Sequence, residues 1–482
     1  MVDALTWVTN FTNLGHIPLL ATVAESEDTS MVLPGVLLSL VVIYFASKVG
    51  GEISNKFGLP PVLGELVGGV LVGISALHLL VFPEGQIDSS SSLLIQFLQT
   101  IGGLNPAAAE ATFKAQSEVI SVLADLGVII LLFEIGLGSN LKELIAVGIQ
   151  ATVVACVGVA VPFALGTAGL MIIFNVAAVP AIFAGAALTA TSIGITSKVL
   201  SEIGRLNSRE GQIIIGAAVI DDVLGIIVLA VVASLAKTGK VDATNVVYLI
   251  ISSTIFLLGA ILLGRFFNSW FETISERLKT RGELIIPALT FAFILSYIGA
   301  AIRLEAILGA FAAGLILHET DKRRELEKQV QPIADMLVPI FFVTVGARTD
   351  FSVLNPAIPT NREGLVQAVF LIAVAIFGKV VTGFTVFGLD KINRWAIGVG
   401  MIPRGEVGLV FAGVGSASGA ISPATNAAII MMVILTTFLA PPLLRVVFGA
   451  PIPVTDESEN SAVDSAVTDP LAVEATQESK HK

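Results

Sequence analysis

Long apolar runs, separated by short polar stretches, fill most of the chain between residues 31 and 448. A helix needs about 20 apolar residues to cross the hydrocarbon core of a bilayer, and about thirteen runs meet this need. The pattern therefore predicts an all-α polytopic membrane protein. The runs span roughly 32–48, 60–82, 117–136, 143–172, 177–203, 211–236, 246–267, 283–300, 304–318, 332–347, 364–387, 394–418 and 422–447.

The composition supports this interpretation. Hydrophobic residues make up 55% of the chain and charged residues only 13%, whereas soluble domains carry about 25% charged residues. A single cysteine, Cys156, excludes an intrachain disulfide. The sequence contains no phosphate-binding loop and no CxxC motif. We therefore expect a transporter rather than an enzyme, with no cofactor and no binding of nucleic acid.

Two polar segments flank the predicted transmembrane domain of residues 31–448. Segment 1–30 has no positive region before its short apolar stretch, so we expect an uncleaved extracytoplasmic segment. Segment 449–482 is predicted to be an acidic, disordered cytoplasmic tail. Between residues 451 and 482 it carries seven acids against two lysines and has no apolar period.

Lysine and arginine are unevenly distributed among the predicted loops. Loops after odd-numbered runs hold 16 of these residues, and loops after even-numbered runs hold six. Because cytoplasmic loops are enriched in positive charge, we expect the N-terminus outside and the C-terminus in the cytoplasm. The long stretch 83–116 is then predicted to be a polar external loop.

Three charged residues lie near the middle of apolar runs, where each costs roughly 2.5–3.5 kcal/mol on insertion scales. They are Asp221 and Asp222 in the sixth run and Lys379 in the eleventh. Neighbours on a helix point about 100° apart, so one carboxylate can face a cavity while the other meets the lysine. The alternatives are a polar pair that only holds helices together and a lysine that extends to the interface.

Two runs contain features that interrupt a helix at mid-span. The fifth run places Thr191 and Ser192 among small residues, and the twelfth contains Pro403, Arg404 and Glu406. Interrupted backbone at this depth survives only in protein or beside a wet cavity. Paired breaks in two halves of a chain indicate a transporter site. We expect Arg404 and Glu406 to have a structural role in the break, by neutralising each other.

The two breaks also occupy matching places along the chain. Runs 4, 5 and 6 correspond to runs 11, 12 and 13, an offset of seven. Because seven is odd, the two halves insert with opposite orientation. The topology therefore predicts inverted repeats with two broken helices that cross.

Eight segments resemble bacterial sodium/proton antiporters of the monovalent cation:proton antiporter-2 family, and its cyanobacterial members in particular. The resemblance as a whole extends over almost all of residues 30–448. The segments are PPVLGELVGGVLVG, LLFEIGLGSNL, ALTATSIGITSKVL, AVIDDVLGII, LGAFAAGLIL, PIFFVTVGARTD, FGKVVTG and PRGEVGLVFAGV.

This resemblance implies a homodimer in which each chain has a core domain and a dimerisation domain. It implies that Asp222 and Asp221 bind Na⁺ and that Thr191 and neighbouring Ser192 offer oxygen to the ion. It also implies that Asp221 pairs with Lys379. Family members with all three charges are electrogenic, moving more protons than sodium ions. The implied membrane is the plasma membrane or, in a cyanobacterium, the thylakoid membrane.

Four other functions use related features. A K⁺/H⁺ antiporter uses the same machinery, although the tail is too short for the nucleotide-binding domain of potassium-efflux systems. A sodium-coupled solute symporter needs more polar groups near the crossing. A channel would be obstructed by a carboxylate–lysine pair, and a redox-driven proton pump subunit would not need the twin breaks. The sequence favours Na⁺/H⁺ exchange, with Li⁺ as a further substrate.

Overall fold

The computed structural model describes residues 31–83, 87–238, 240, 242–354, 359–389 and 391–449. The described residues are helical and contain no strand. The predicted segment 1–30 and almost all of the predicted tail lie outside them. The helices are α1 Val32–Lys56, α2 Pro61–Val72, α3 Leu93–Gly102, α4 Pro106–Gly138, α5 Leu141–Ala146, α6 Gly148–Ile173, α7 Ala178–Ala187, α8 Ile193–Glu202, α9 Arg209–Thr238, α10 Ala243–Arg277, α11 Ile285–Ala301, α12 Ala306–Leu317, α13 Arg323–Ala347, α14 Pro359–Gly383, α15 Arg394–Gly400, α16 Glu406–Ala417 and α17 Pro423–Phe448.

Length and composition identify the membrane-spanning helices. Within the described residues, eight helices are long and apolar enough to cross a membrane, and shorter apolar helices accompany them. Two of the predicted spans are split in the structure, one into α7 and α8 and the other into α15 and α16. The all-helical polytopic fold is confirmed, whereas the count of thirteen spans stays a prediction.

Close helix packing holds together a first bundle, made of α1, α2, α4 and α10 to α13. One side of α2 packs on α1 at Gly64, where an added Cβ would collide with the Gly50 carbonyl. The other side packs on α13 at Gly69, where a Cβ would collide with the Val343 carbonyl. Small residues let helix backbones approach closely in a membrane, so the glycine face fixes α2 between its neighbours.

A second bundle contains α6, α7, α9 and α14 to α17. Glycine again allows close contact, because a Cβ at Gly398 in α15 would meet the Val380 carbonyl in α14. Helix α8 lies between the bundles and contacts α2 and α4 as well as α9 and α17. Both halves of the predicted crossing therefore lie in or beside the second bundle.

The structure corrects the predicted end of the second span. Helix α2 ends at Val72, about three turns before the end of the apolar run 60–82. The chain then folds back on the helix end, where the amide of His78 donates to the Gly73 carbonyl at 2.9 Å and that of Leu79 to the Val72 carbonyl at 2.9 Å. The apolar residues after the turn therefore pack against protein without continuing the helix.

The prediction of an external loop at residues 83–116 is also wrong in part. It contains the ten-residue helix α3, and helix α4 already begins at Pro106. Asn105 caps α4, since its side chain accepts a hydrogen bond from the amide of Ala108 at 2.8 Å. Polar residues at the helix start concealed this N-terminal extension in the hydropathy pattern.

Candidate functional site: two crossed broken helices

Both predicted breaks are present in the backbone. Residues 188–192 connect α7 to α8, and residues 401–405 connect α15 to α16. Pro403 has no amide hydrogen and therefore cannot take part in a helical ladder. Gly405 has an extended conformation, with φ −140° and ψ −152°, immediately before α16. The local sequence thus explains why the span made of α15 and α16 is interrupted between these two helices.

Hydrogen bonds join the two breaks to each other. The amide of Ser192 donates to the Pro403 carbonyl at 2.8 Å. The hydroxyl of Thr191 donates to the Met401 carbonyl at 3.2 Å. Backbone groups that lost their helical partners are therefore satisfied across the crossing, as burial in a membrane requires.

Arg404 crosses from the second break to the first. Its side chain is completely buried, and its Nη1 donates to the carbonyls of Ala190 at 2.6 Å and Thr189 at 3.4 Å. These carbonyls follow the C-terminal end of α7, where a helix carries partial negative charge. Arg404 thus stabilises the first break. The side chain of Glu406 lies outside the described residues, so the predicted Arg404–Glu406 neutralisation stays a prediction.

Asp221 and Lys379 meet between α9 and α14. The ammonium group of Lys379 donates to Asp221 Oδ2 at 3.0 Å, and neither side chain is exposed. A Cβ at Gly158 in α6 would lie only 3.1 Å from the Lys379 nitrogen. The absent side chain at that position leaves room for the ion pair.

Asp222 faces a different environment from that of its neighbour. It is 3% exposed and lines a cavity of about 10 Å³, roughly the space of one water. Thr191 and Ser192 line the same cavity, so the structure brings these three predicted ion-binding residues together. The other lining residues are Ala190, Ile193, Glu305, Ile307, Gly405 and Val407.

Comparison with known proteins identifies the family. The sequence profile described as "sodium/hydrogen exchanger, transmembrane" matches residues 36–448. The chain belongs to the sodium/hydrogen exchanger family. The resemblance inferred from the eight segments is therefore confirmed.

Relatives of this exchanger are similar over most of their length. The high-affinity Na⁺/H⁺ antiporter NhaS3 of Synechocystis is 67% identical over 89% of this chain and 94% of its own. The Na⁺/H⁺-K⁺ antiporter GerN of Bacillus cereus is 32% identical over 85% of this chain and 96% of its own. The solved sodium proton antiporter MjNhaP1 of Methanocaldococcus jannaschii shares the fold, with a TM-score of 0.58 and 17% identity over 86% of this chain and 97% of that chain.

The exchanger also contains a polar network that the sequence interpretation missed. Glu202, the last residue of α8, accepts a hydrogen bond from the amide of Val62 at 3.3 Å and lies 3.9 Å from Lys198. Glu65 accepts a hydrogen bond from Ser47 at 3.1 Å. The network therefore connects α8 to the start of α2 at the end of the molecule that the predicted topology places in the cytoplasm.

Glu305 is the second residue that sequence reasoning missed, although it lines the cavity beside Asp222. It precedes α12 and follows Arg303 in a polar connection, so the hydropathy pattern places it at a solvated helix end. The available signal was that Glu305 begins an unusually short apolar helix. Such a helix can start below the membrane surface, where a charged residue is not solvated.

Proposed function

We propose that this exchanger couples the movement of Na⁺ to the opposite movement of H⁺ at Asp222. The observation that carries the proposal is the cavity of about 10 Å³ that Asp222 shares with Thr191 and Ser192. An apolar environment disfavours a bare carboxylate, so Asp222 carries either a proton or a cation. Competition for one carboxylate is sufficient to enforce exchange.

Charge balance supports coupling. Asp221 and Asp222 supply two negative charges, and Lys379 and Arg404 supply two positive charges, all at buried positions. Uncompensated charge is costly in a medium of low dielectric constant. A sodium ion that replaces the proton on Asp222 leaves the charge of this set unchanged, so Na⁺ uptake is coupled to H⁺ release. Lys379 is the donor we propose for a second proton, because arginine keeps its proton.

Two proton-bearing groups support electrogenic exchange. Asp222 exchanges its proton for Na⁺ directly. When Na⁺ approaches Asp221, the 3.0 Å ion pair with Lys379 breaks and the lysine loses its proton. A cycle that uses both groups moves more protons than sodium ions, so the membrane potential contributes to the driving force.

Sodium is the cation we propose, with Li⁺ as a further substrate. The name of the Synechocystis relative, which is 67% identical, refers to Na⁺. The name of GerN includes K⁺, which keeps K⁺/H⁺ exchange as the second candidate. A sodium-coupled solute symporter has less support, since a cavity of about 10 Å³ is too small for an organic solute.

The proposed transport movement displaces the crossed helices relative to the first bundle, as alternating access requires. The first bundle would then form the interface of a homodimer in the bilayer. The proposed orientation has the N-terminus outside and the C-terminus in the cytoplasm. The proposed membrane is the plasma membrane, or the thylakoid membrane if the source is a cyanobacterium.

Proteoliposomes with a pH-sensitive dye inside test the proposal. NaCl, LiCl, KCl or choline chloride is added to wild type, to Asp222→Asn and to Asp321→Asn, whose side chain is exposed. We expect Na⁺ to drive proton movement in wild type and Asp321→Asn, and Asp222→Asn to fall to the level of empty liposomes. Exchange that persists in Asp222→Asn would refute the site, and a response to K⁺ alone would favour the second candidate.

A further inference from the structure

Glu305 occupies a place that its sequence context does not explain. It is the N-cap residue of α12. It is half-buried and lines the same cavity as Asp222. Glu305 is therefore part of the cavity lining.

The helix that carries Glu305 belongs to the first bundle. Helix α12 packs closely on α4, since a Cβ at Gly136 would meet the Phe311 carbonyl and a Cβ at Gly314 would meet the Phe133 carbonyl. Asp222 lies on α9 in the second bundle. Two acidic residues from two groups of helices thus line one cavity.

The chemistry of the cavity suits a small hard cation. Such ions prefer carboxylate, carbonyl and hydroxyl oxygens, and Thr191 and Ser192 line the cavity together with the two acidic residues. Two carboxylates at one small site disfavour each other's charged form unless a cation or a proton lies between them. The volume of about 10 Å³ leaves room for one such ion or one water.

We propose that Glu305 is a second cation-binding carboxylate, which the first bundle supplies to the Asp222 site. This inference rests on the proposed function and extends it. In the arrangement of the two bundles in this structure, residues of both bundles then bind the ion. Movement of the second bundle relative to the first would remove Glu305 from the ion and weaken its binding.

The test measures the Na⁺ concentration that gives half-maximal proton movement in proteoliposomes. We expect Glu305→Gln to raise it about tenfold, the effect of losing one charged oxygen ligand, with a maximal rate within about twofold of wild type. Glu305→Asp keeps the charge and should recover part of the affinity. Glu143→Gln is the matched control, because Glu143 is an exposed glutamate at the start of α5 and should behave like wild type.

A binding measurement separates this inference from a folding defect. The thermal unfolding temperature in detergent is measured with NaCl or choline chloride at equal ionic strength, because a bound ion stabilises the folded state. We expect equal stability of wild type and Glu305→Gln in choline chloride, and a smaller gain from NaCl in the variant. If the variant gains as much from NaCl as wild type and keeps its half-maximal concentration, the inference is wrong while the proposed function stands. If wild type showed no Na⁺-driven proton movement, the proposed function itself would be refuted.

Discussion

Asp221 and Asp222 are adjacent in one helix but have different surroundings. Asp221 is fully buried and holds Lys379 at 3.0 Å. Asp222 lines a cavity together with Thr191, Ser192 and Glu305. Because neighbours on a helix point about 100° apart, one turn of α9 presents one acid to a fixed cation and the other to an ion-sized cavity. The same side chain can thus pair with a fixed cation or line an ion-sized cavity according to its direction.

The largest effect that separates the two acids is on stability. Asp221→Asn leaves the Lys379 charge buried without its partner, and breaking a buried pair in this way costs about 3 kcal/mol or more. Asp222→Asn should cost much less, since its carboxylate does not hold this lysine. Unfolding in detergent measures both variants.

A double variant sharpens that prediction. Asp221→Asn combined with Lys379→Gln removes both charges and should recover most of the lost stability, because no uncompensated charge remains. Equal stability of Asp221→Asn and wild type would contradict the structural role of the ion pair.

The next effect concerns stoichiometry. Lys379→Gln removes one proton-bearing group and leaves Asp222 in the cavity, so we expect Na⁺/H⁺ exchange to continue with fewer protons per sodium ion. An imposed membrane potential should accelerate wild type and have little influence on the variant. An equal response to the potential in both proteins would show that Lys379 does not carry a transported proton.

The smallest expected effect is a loss of Na⁺ affinity at Thr191 in the first break. Thr191→Val removes the hydroxyl that bonds across the crossing at 3.2 Å, and we expect about fivefold weaker Na⁺ affinity from the loss of roughly 1 kcal/mol. Thr189→Val is the control, because the Thr189 hydroxyl bonds the Ala186 carbonyl of its own span at 2.7 Å. Affinity that falls equally in both variants would argue against an ion-binding role for Thr191.

Charges in apolar runs were the most informative feature of the sequence. A buried charge is expensive enough that Asp221, Asp222 and Lys379 could be singled out without a structure. The second break was predictable because Pro403 and Gly405 interrupt hydrogen bonding, and the first because Thr191 and Ser192 lie among small residues at mid-span. These signals are local in sequence. The free-energy cost of a buried charge or an interrupted helix can be recognised without knowing which residue compensates for it.

Partners that are distant in sequence were harder to predict. The sequence interpretation named only nearby Glu406 as a partner of Arg404 and missed the carbonyls of the first break, which its guanidinium bonds 214 and 215 positions away. Glu305 was missed because a charge at a helix end is ordinarily solvated, and only the packing of α12 places it beside Asp222. The early end of α2 was missed because apolar residues that fold back onto protein have the same hydropathy as a continuing helix.

The hydrogen bond from Arg404 to the Ala190 carbonyl has a consequence for protein engineering. The two breaks are complementary parts, since one supplies the charge and the other the oxygens that accept it. A chimaera that takes α7 and α8 from one relative should therefore inherit α15 and α16 from the same parent. We expect a chimaera that takes both segments from one parent to keep the yield of folded protein. A chimaera that takes only one of them should give a lower yield wherever the parents differ at residues 188–192 or 401–405.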